Sequence, residues 1–149
     1  MPSASVKRLI ECNKNQLIDL VLDIEKYPIF VPYCLNAKIY EKKDTIDFVN
    51  IIADLTIGKG FFKDTYKSAV KFNKKDSSIH VTNIDGPLKH LNNKWMFKDH
   101  TEGTEIYFDV DFEIKNKFLN ILMTTSFQYG LDKIADAFQN RANQLFKSQ

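Results

Sequence analysis

Asp23-Ile24-Glu25-Lys26-Tyr27-Pro28-Ile29-Phe30-Val31-Pro32-Tyr33-Cys34 carries two prolines four residues apart, set among aromatic and branched apolar side chains. A proline ring removes a backbone donor and clashes with the carbonyl four residues earlier, so Pro32 cannot sit inside a helix that already contains Pro28. Pro28 also biases Tyr27 away from helical angles. A helix arriving from the N-terminal side should therefore stop near Lys26. Pro28 can then open a new turn, where its missing N–H would be unpaired in any case. The expected product is one short, stiff, apolar turn. It is too small to form a core, which leaves it two roles: stapling a helix onto a sheet, or plugging and gating an interior.

Upstream, Val6, Arg8 and Ile10 alternate with Ser5, Lys7 and Leu9, the pattern of a first strand. Asn13 is an N-cap, and Gln16 three residues on completes a capping box. Leu17, Leu20, Val21 and Ile24 then share one helical face. Downstream the period changes to two. Ala37 and Ile39 mark a second strand, and Phe48 to Ile57 a third. In the fourth, Phe62, Tyr66, Val70 and Phe72 take one face, while Lys63, Thr65, Lys67 and Lys71 take the other. Asn73 to Ser77 reads as a turn, Ile79 and Val81 as a fifth strand, and Leu91 to Phe97 as a sixth. The last strand alternates most cleanly, with Ile106, Phe108, Val110, Phe112 and Ile114 inward and Glu105, Tyr107, Asp109, Asp111 and Glu113 outward. From Lys117 the pattern is helical: Phe127, Leu131, Ile134, Phe138, Ala142 and Leu145 recur at steps of three and four.

This order implies an α+β fold, an antiparallel sheet with one wet face wrapped around one long helix. A strongly curved sheet need not close on the helix it grips, and the gap is a natural apolar cavity. The aromatic and aliphatic inward residues suit a ligand pocket and suit a solid core equally well. Gly130 costs the helix roughly 1 kcal/mol relative to alanine. It marks a close approach or a bend beside the cavity, or else a tolerated cost.

Composition fits one soluble domain over residues 1–149, with 44% hydrophobic and 27% charged residues. No apolar run approaches the roughly 20 residues that span a bilayer. The N-terminal segment has neither a secretory nor an Arg-rich transit pattern. Two cysteines, Cys12 and Cys34, are too few for a disulfide framework and point to a reducing compartment. The net charge of +2 permits contact with RNA or anionic lipid without requiring it.

Tyr27-Pro28, Phe30-Val31-Pro32 and Cys34 resemble the YPxFxPxC signature of the coenzyme Q-binding protein family, within the START-like (polyketide cyclase-like) superfamily. Leu55-Thr56-Ile57-Gly58 is similar to that family's LxVG strand, Asp85-Gly86-Pro87-Leu88 to its DGPF turn with Leu for Phe, and Leu91, Trp95 and Phe97 to its LxxxWxF strand. The resemblance runs from about Ser5 to about Phe146. It implies a START-like helix-grip: a curved antiparallel sheet of about seven strands around a long C-terminal helix, with two short helices after the first strand. It also turns the inward residues into the walls of a ligand cavity. The expected wall is Tyr27, Phe30, Val31, Leu55, Phe62, Tyr66, Trp95, Phe97, Phe108, Phe112, Met123, Phe127 and Leu131, with the gate at Phe30 and Val31.

Catalytic patterns are poor. His80, His90 and His100 have no metal-type spacing with one another or with the cysteines, so no metal site is expected. There is no GxSxG elbow. Gly58-Lys59-Gly60 lacks the length and the Lys-Ser/Thr end of a phosphate loop. Asp64 is in phase with Phe62 and Tyr66; inward, it would be an acid–base candidate, and at a frayed strand start it would not. Lys94 and Lys98 should face the acidic outward residues of the last strand. Only Lys63, Lys67 and Lys71 are left without an obvious partner for RNA phosphates.

The resemblance thus implies a non-catalytic protein with no resident cofactor. It would hold an isoprenoid quinone such as ubiquinone, or another hydrophobic ligand, and support respiratory electron transport. It would act in the cytoplasm, with peripheral contact at the inner membrane. The alternative within the same family is a bacterial ribosome-association toxin, which binds the large ribosomal subunit and blocks subunit joining.

Overall fold

The computed structural model describes residues 3–59 and 62–147, and every side chain among them except those of Lys59, Phe62, Leu119 and residues 122–126. β1 (Ser3–Ile10) leads into α1 (Lys14–Leu22). The Asn13 side chain accepts from the Gln16 N–H and the Gln16 side chain accepts from the Asn13 N–H, so both halves of the expected capping box form. A 3-10 turn over Ile24–Lys26 follows, then the single turn α2 (Tyr27–Phe30). Six strands come next: β2 (Cys34–Asp44), β3 (Phe48–Lys59), β4 (Phe62–Asn73), β5 (Ser78–Asp85), β6 (Leu88–His100) and β7 (Gly103–Ile114). The long helix α3 (Lys117–Phe146) closes the fold.

All seven strands form one sheet in the order β1-β7-β6-β5-β4-β3-β2, and every neighbouring pair is antiparallel. The first strand therefore pairs with the last, and β1 and β2 are the edges. The expected curved sheet with its C-terminal helix and two short helices after β1 is the observed fold.

Tyr27 departs from expectation. Its angles are helical, φ −54° and ψ −40°, although proline follows it. Tertiary contacts override the local bias. The Tyr27 hydroxyl donates to the Val21 carbonyl, and its ring meets Phe138 edge-on at 5.4 Å and Phe30 at 6.1 Å. Glu25 adds a clamp by accepting the Ile39 N–H of β2 at 2.9 Å. The prolines thus shape the turn, and its aromatic neighbours fix it.

α3 lies chiefly along β1. Arg8, in phase with Val6 and Ile10 on the inner face of β1, reaches the helix. Its guanidinium donates to Asp136, to Gln139 at 3.3 Å and to the Asp132 carbonyl at 3.5 Å. Near the far end of α3, the Cys12 thiol donates to the Ala142 carbonyl at 3.7 Å. The fully buried Thr104 hydroxyl donates to the Cys12 carbonyl at 2.8 Å. The expected inward face of α3 holds with one exception: Leu145 is half exposed, and Phe146, four residues past Ala142, takes its place against the core.

Gly130 marks no close approach, since nothing lies within 4 Å of the place a Cβ would occupy. Gly130→Ala should therefore stabilise the protein by about 0.5–1 kcal/mol through helix propensity alone, read as a raised urea midpoint. Trp95→Ala should do the opposite, costing about 3–5 kcal/mol, because the ring is buried against Phe108 and Phe138.

Candidate functional site

Among the described side chains, the buried apolar residues fall into two clusters. The larger cluster is built on Trp95, whose ring centre lies 4.0 Å from that of Phe108, 5.2 Å from that of Phe138 and 6.2 Å from that of Phe97. The Trp95 indole N–H donates to Asn93 Oδ1 at 3.1 Å. Leu131 is buried in this cluster, and Tyr27, Phe30, Val31 and Leu55 pack against it half-buried. The smaller cluster is Leu88, Leu91, Phe112 and Ile114, with Tyr66 and Phe127 packed on it. The Phe112 and Phe127 rings meet at 4.6 Å. Val81 and Val110 touch both clusters and mark the seam between them.

The expected wall residues are thus apportioned between the clusters. Tyr27, Phe30, Val31, Leu55, Trp95, Phe97, Phe108 and Leu131 belong to the first, and Tyr66, Phe112 and Phe127 to the second. The side chains of Phe62 and Met123 lie outside the described ones. Beneath α3, between Trp95, Phe108, Ala135 and Phe138, a void of about 20 Å³ remains. That is smaller than any aromatic ring, so Trp95 and Phe108 are packed as core. Phe30 does not border this void. It rests edge-on against Phe138 at 5.1 Å, with the Arg141 guanidinium 5.6 Å from its ring centre.

A polar corner sits among these apolar groups. Burial pushes the phenols of Tyr27 and Tyr66 well above the ordinary tyrosine range, and it pushes the Cys34 thiol up to about 11. The three groups are close enough that Tyr66 and Cys34 raise Tyr27 further, and Cys34 raises Tyr66. All three therefore stay protonated at neutral pH. The Tyr27 hydroxyl is held by Val21, and the Cys34 thiol donates to the Asn36 carbonyl at 3.6 Å. The family signature includes Cys34, but the expected wall left it out, because a lone thiol at a strand start carries no periodic signal. Arg8 was placed on the inner face, but its partners 124 to 131 residues away were invisible.

The acid–base candidate fails on geometry. Asp64 is exposed at the start of β4, and its carboxylate accepts the N–H of its own neighbour Thr65 at 2.8 Å. Gly60, the end of the weighed phosphate loop, lies outside the described residues.

The outer face corrects a second expectation. Lys94 and Lys98 do stand opposite Asp109 and Glu105. Lys67, however, is not partnerless: it faces Asp54 on β3 and Asp85 on β5, and its ammonium lies 4.8 Å from the Tyr40 ring centre. Lys71 sits 4.3 Å from the centre of the Phe48 ring. Only Lys63, opposite Gly58, keeps no ionic or ring partner among the described residues. These contacts settle the lysines over neighbouring side chains instead of leaving a bare basic stripe.

Among the described residues no helix is long and apolar enough to cross a membrane. Three comparisons place the chain among known proteins. It is 29% identical over 143 residues to the ribosome association toxin RatA of Rickettsia prowazekii, covering 94% of this chain and 95% of that one. It is 33% identical over 137 residues to the mitochondrial coenzyme Q-binding protein COQ10 of Dictyostelium discoideum, covering 90% of this chain and 65% of that one. The solution structure of the 18 kDa protein CC1736 from Caulobacter crescentus superposes with a TM-score of 0.80 at 27% identity, covering 97% of this chain and 98% of that one. The family model described as polyketide cyclase / dehydrase and lipid transport matches residues 12–139, and the chain belongs to that family.

Proposed function

We propose that the protein binds an isoprenoid quinone such as ubiquinone in the apolar interior between sheet and α3, and carries it without making or breaking a bond. The observation that carries this reading is the divided interior. Here two clusters meet at a seam, with a protonated polar corner formed by Tyr27, Tyr66 and Cys34. An apolar tail and an oxygenated ring need those two environments side by side. The likeness to a coenzyme Q-binding protein and the lipid-transport description of the family support the same reading. Each buried methylene contributes about 0.8 kcal/mol, so an isoprenoid tail supplies ample affinity. Such a carrier works in the cytoplasm and meets the inner membrane peripherally.

A second reading has one observation in its favour: the relative named as a ribosome association toxin aligns over 94% of this chain. Binding of the large ribosomal subunit would rest on phosphate contacts, which weaken steeply with salt. The lysines of β4 are the available cations, and two of the three are already engaged with rings.

Organic extracts of protein purified from native membranes and cytosol should contain quinone above the level in a matched control protein, measured by mass spectrometry. Clean extracts together with no binding of added ubiquinone would overturn the carrier reading. The combined variant Lys63→Gln, Lys67→Gln, Lys71→Gln should keep quinone affinity within about twofold, because all three lie on the face away from the interior. If wild type sediments with large ribosomal subunits at low salt, lowers the joined-ribosome fraction, and loses both in this variant, the toxin reading replaces the carrier.

A further inference from the structure

Tyr66 is held with unusual firmness for a residue whose polar atom has nothing to hold. It lies on the inner face of β4, in phase with the buried Ser68 and Val70, and pairs across to Leu55 on β3. Its ring packs on the smaller apolar cluster. Behind it, the turn from β5 to β6 crosses so closely that a Cβ on Gly86 would lie 2.8 Å from the Tyr66 Cα. Gly86 also has φ +126°, which excludes ordinary side chains there. Backbone and ring are therefore fixed from both sides.

The hydroxyl, by contrast, makes no hydrogen bond within the described structure, whereas its two polar neighbours are both engaged, Tyr27 with Val21 and Cys34 with Asn36. The Tyr66 side chain is half-buried and its hydroxyl still meets solvent, so an arriving acceptor can take the place of water on it. A quinone carbonyl is an acceptor with no proton of its own, so it needs a donor. Burial keeps the Tyr66 phenol protonated and hence able to donate.

We propose that the Tyr66 hydroxyl is the head-group selector of the site: it donates a hydrogen bond to a ring carbonyl oxygen of the bound quinone, and so distinguishes an oxygenated ring from a hydrocarbon of similar size. This assignment rests on the quinone-carrier reading and names the residue that gives it chemical specificity. Apolar contacts would serve either kind of ligand, and the hydroxyl supplies the difference between them.

The test is calorimetric titration of wild type and Tyr66→Phe with two probes, decylubiquinone and decylbenzene, the second having a ring and tail but no oxygen. Tyr66→Phe removes one oxygen and keeps the ring that packs on the cluster. Its affinity for decylubiquinone should fall on the order of tenfold, with decylbenzene affinity unchanged. In difference infrared spectra, the carbonyl stretch of bound decylubiquinone should be lowered in wild type and return to its unbonded position in the variant. Equal quinone affinity in the two proteins, or equal losses for both probes, overturns the selector. An unshifted carbonyl band in the wild-type complex does so without any variant. Wild type that binds neither probe overturns the carrier reading itself, and the selector with it.

Discussion

A seven-stranded curved sheet has more inner surface than one helix can cover, and the rest of the structure follows from how that excess is handled. α3 lies along β1 at one edge, pinned by the Arg8 guanidinium and by the bond from Cys12 to its backbone. The opposite edge is covered by the short pieces after β1, with the 3-10 turn and α2 packed on β2. Between these two coverings the inner faces of β6 at its start and β7 at its end must find other partners. The smaller cluster of Leu88, Leu91, Phe112 and Ile114 is what they make.

The proline turn does the first of the two jobs that its sequence left open. It staples, since Tyr27 and Phe30 wedge against Phe138 of α3 and Glu25 ties the same segment to β2. It also stands at the boundary of the interior, with Ile29 exposed and the Cys34 thiol buried just behind it. An element with no fully buried residue of its own is held by what it touches. α1 stops at Leu22, ahead of the expected stop near Lys26, because Asp23 leaves helical angles with ψ 63°, and the 3-10 turn then carries the chain to Tyr27.

Much of this architecture was legible because it is local. Alternation in β7 and the three- and four-residue steps of α3 report one side chain at a time against one surface, and both survive in the fold apart from Leu145. The capping box of Asn13 and Gln16 is equally self-contained. Cross-strand pairs such as Lys94 with Asp109 were legible once two strands were known to be neighbours. What alternation cannot carry is depth. Trp95 and Phe112 both read as inward, yet one is jammed beside a 20 Å³ void and the other belongs to a separate cluster. That distinction depends on which helix lies over which strand, a property of the whole chain. Tyr27 failed for a related reason: a bias of its own proline was overcome by a ring on a helix 111 residues away.

The two buried thiols mark opposite ends of the grip. Cys12 follows β1, beside the turn from β6 to β7 and under the last turns of α3, while Cys34 opens β2 at the end where β3 turns into β4. Burial raises the pKa of both, so neither presents much thiolate while the structure is closed. Their rates of alkylation therefore become clocks for local opening, one for each end. Motion confined to the proline turn would advance the Cys34 clock and leave Cys12 unchanged. Detachment of α3 from β1 would do the reverse. The chain carries, in two ordinary side chains, the means to tell opening at the proline turn from detachment of its long helix.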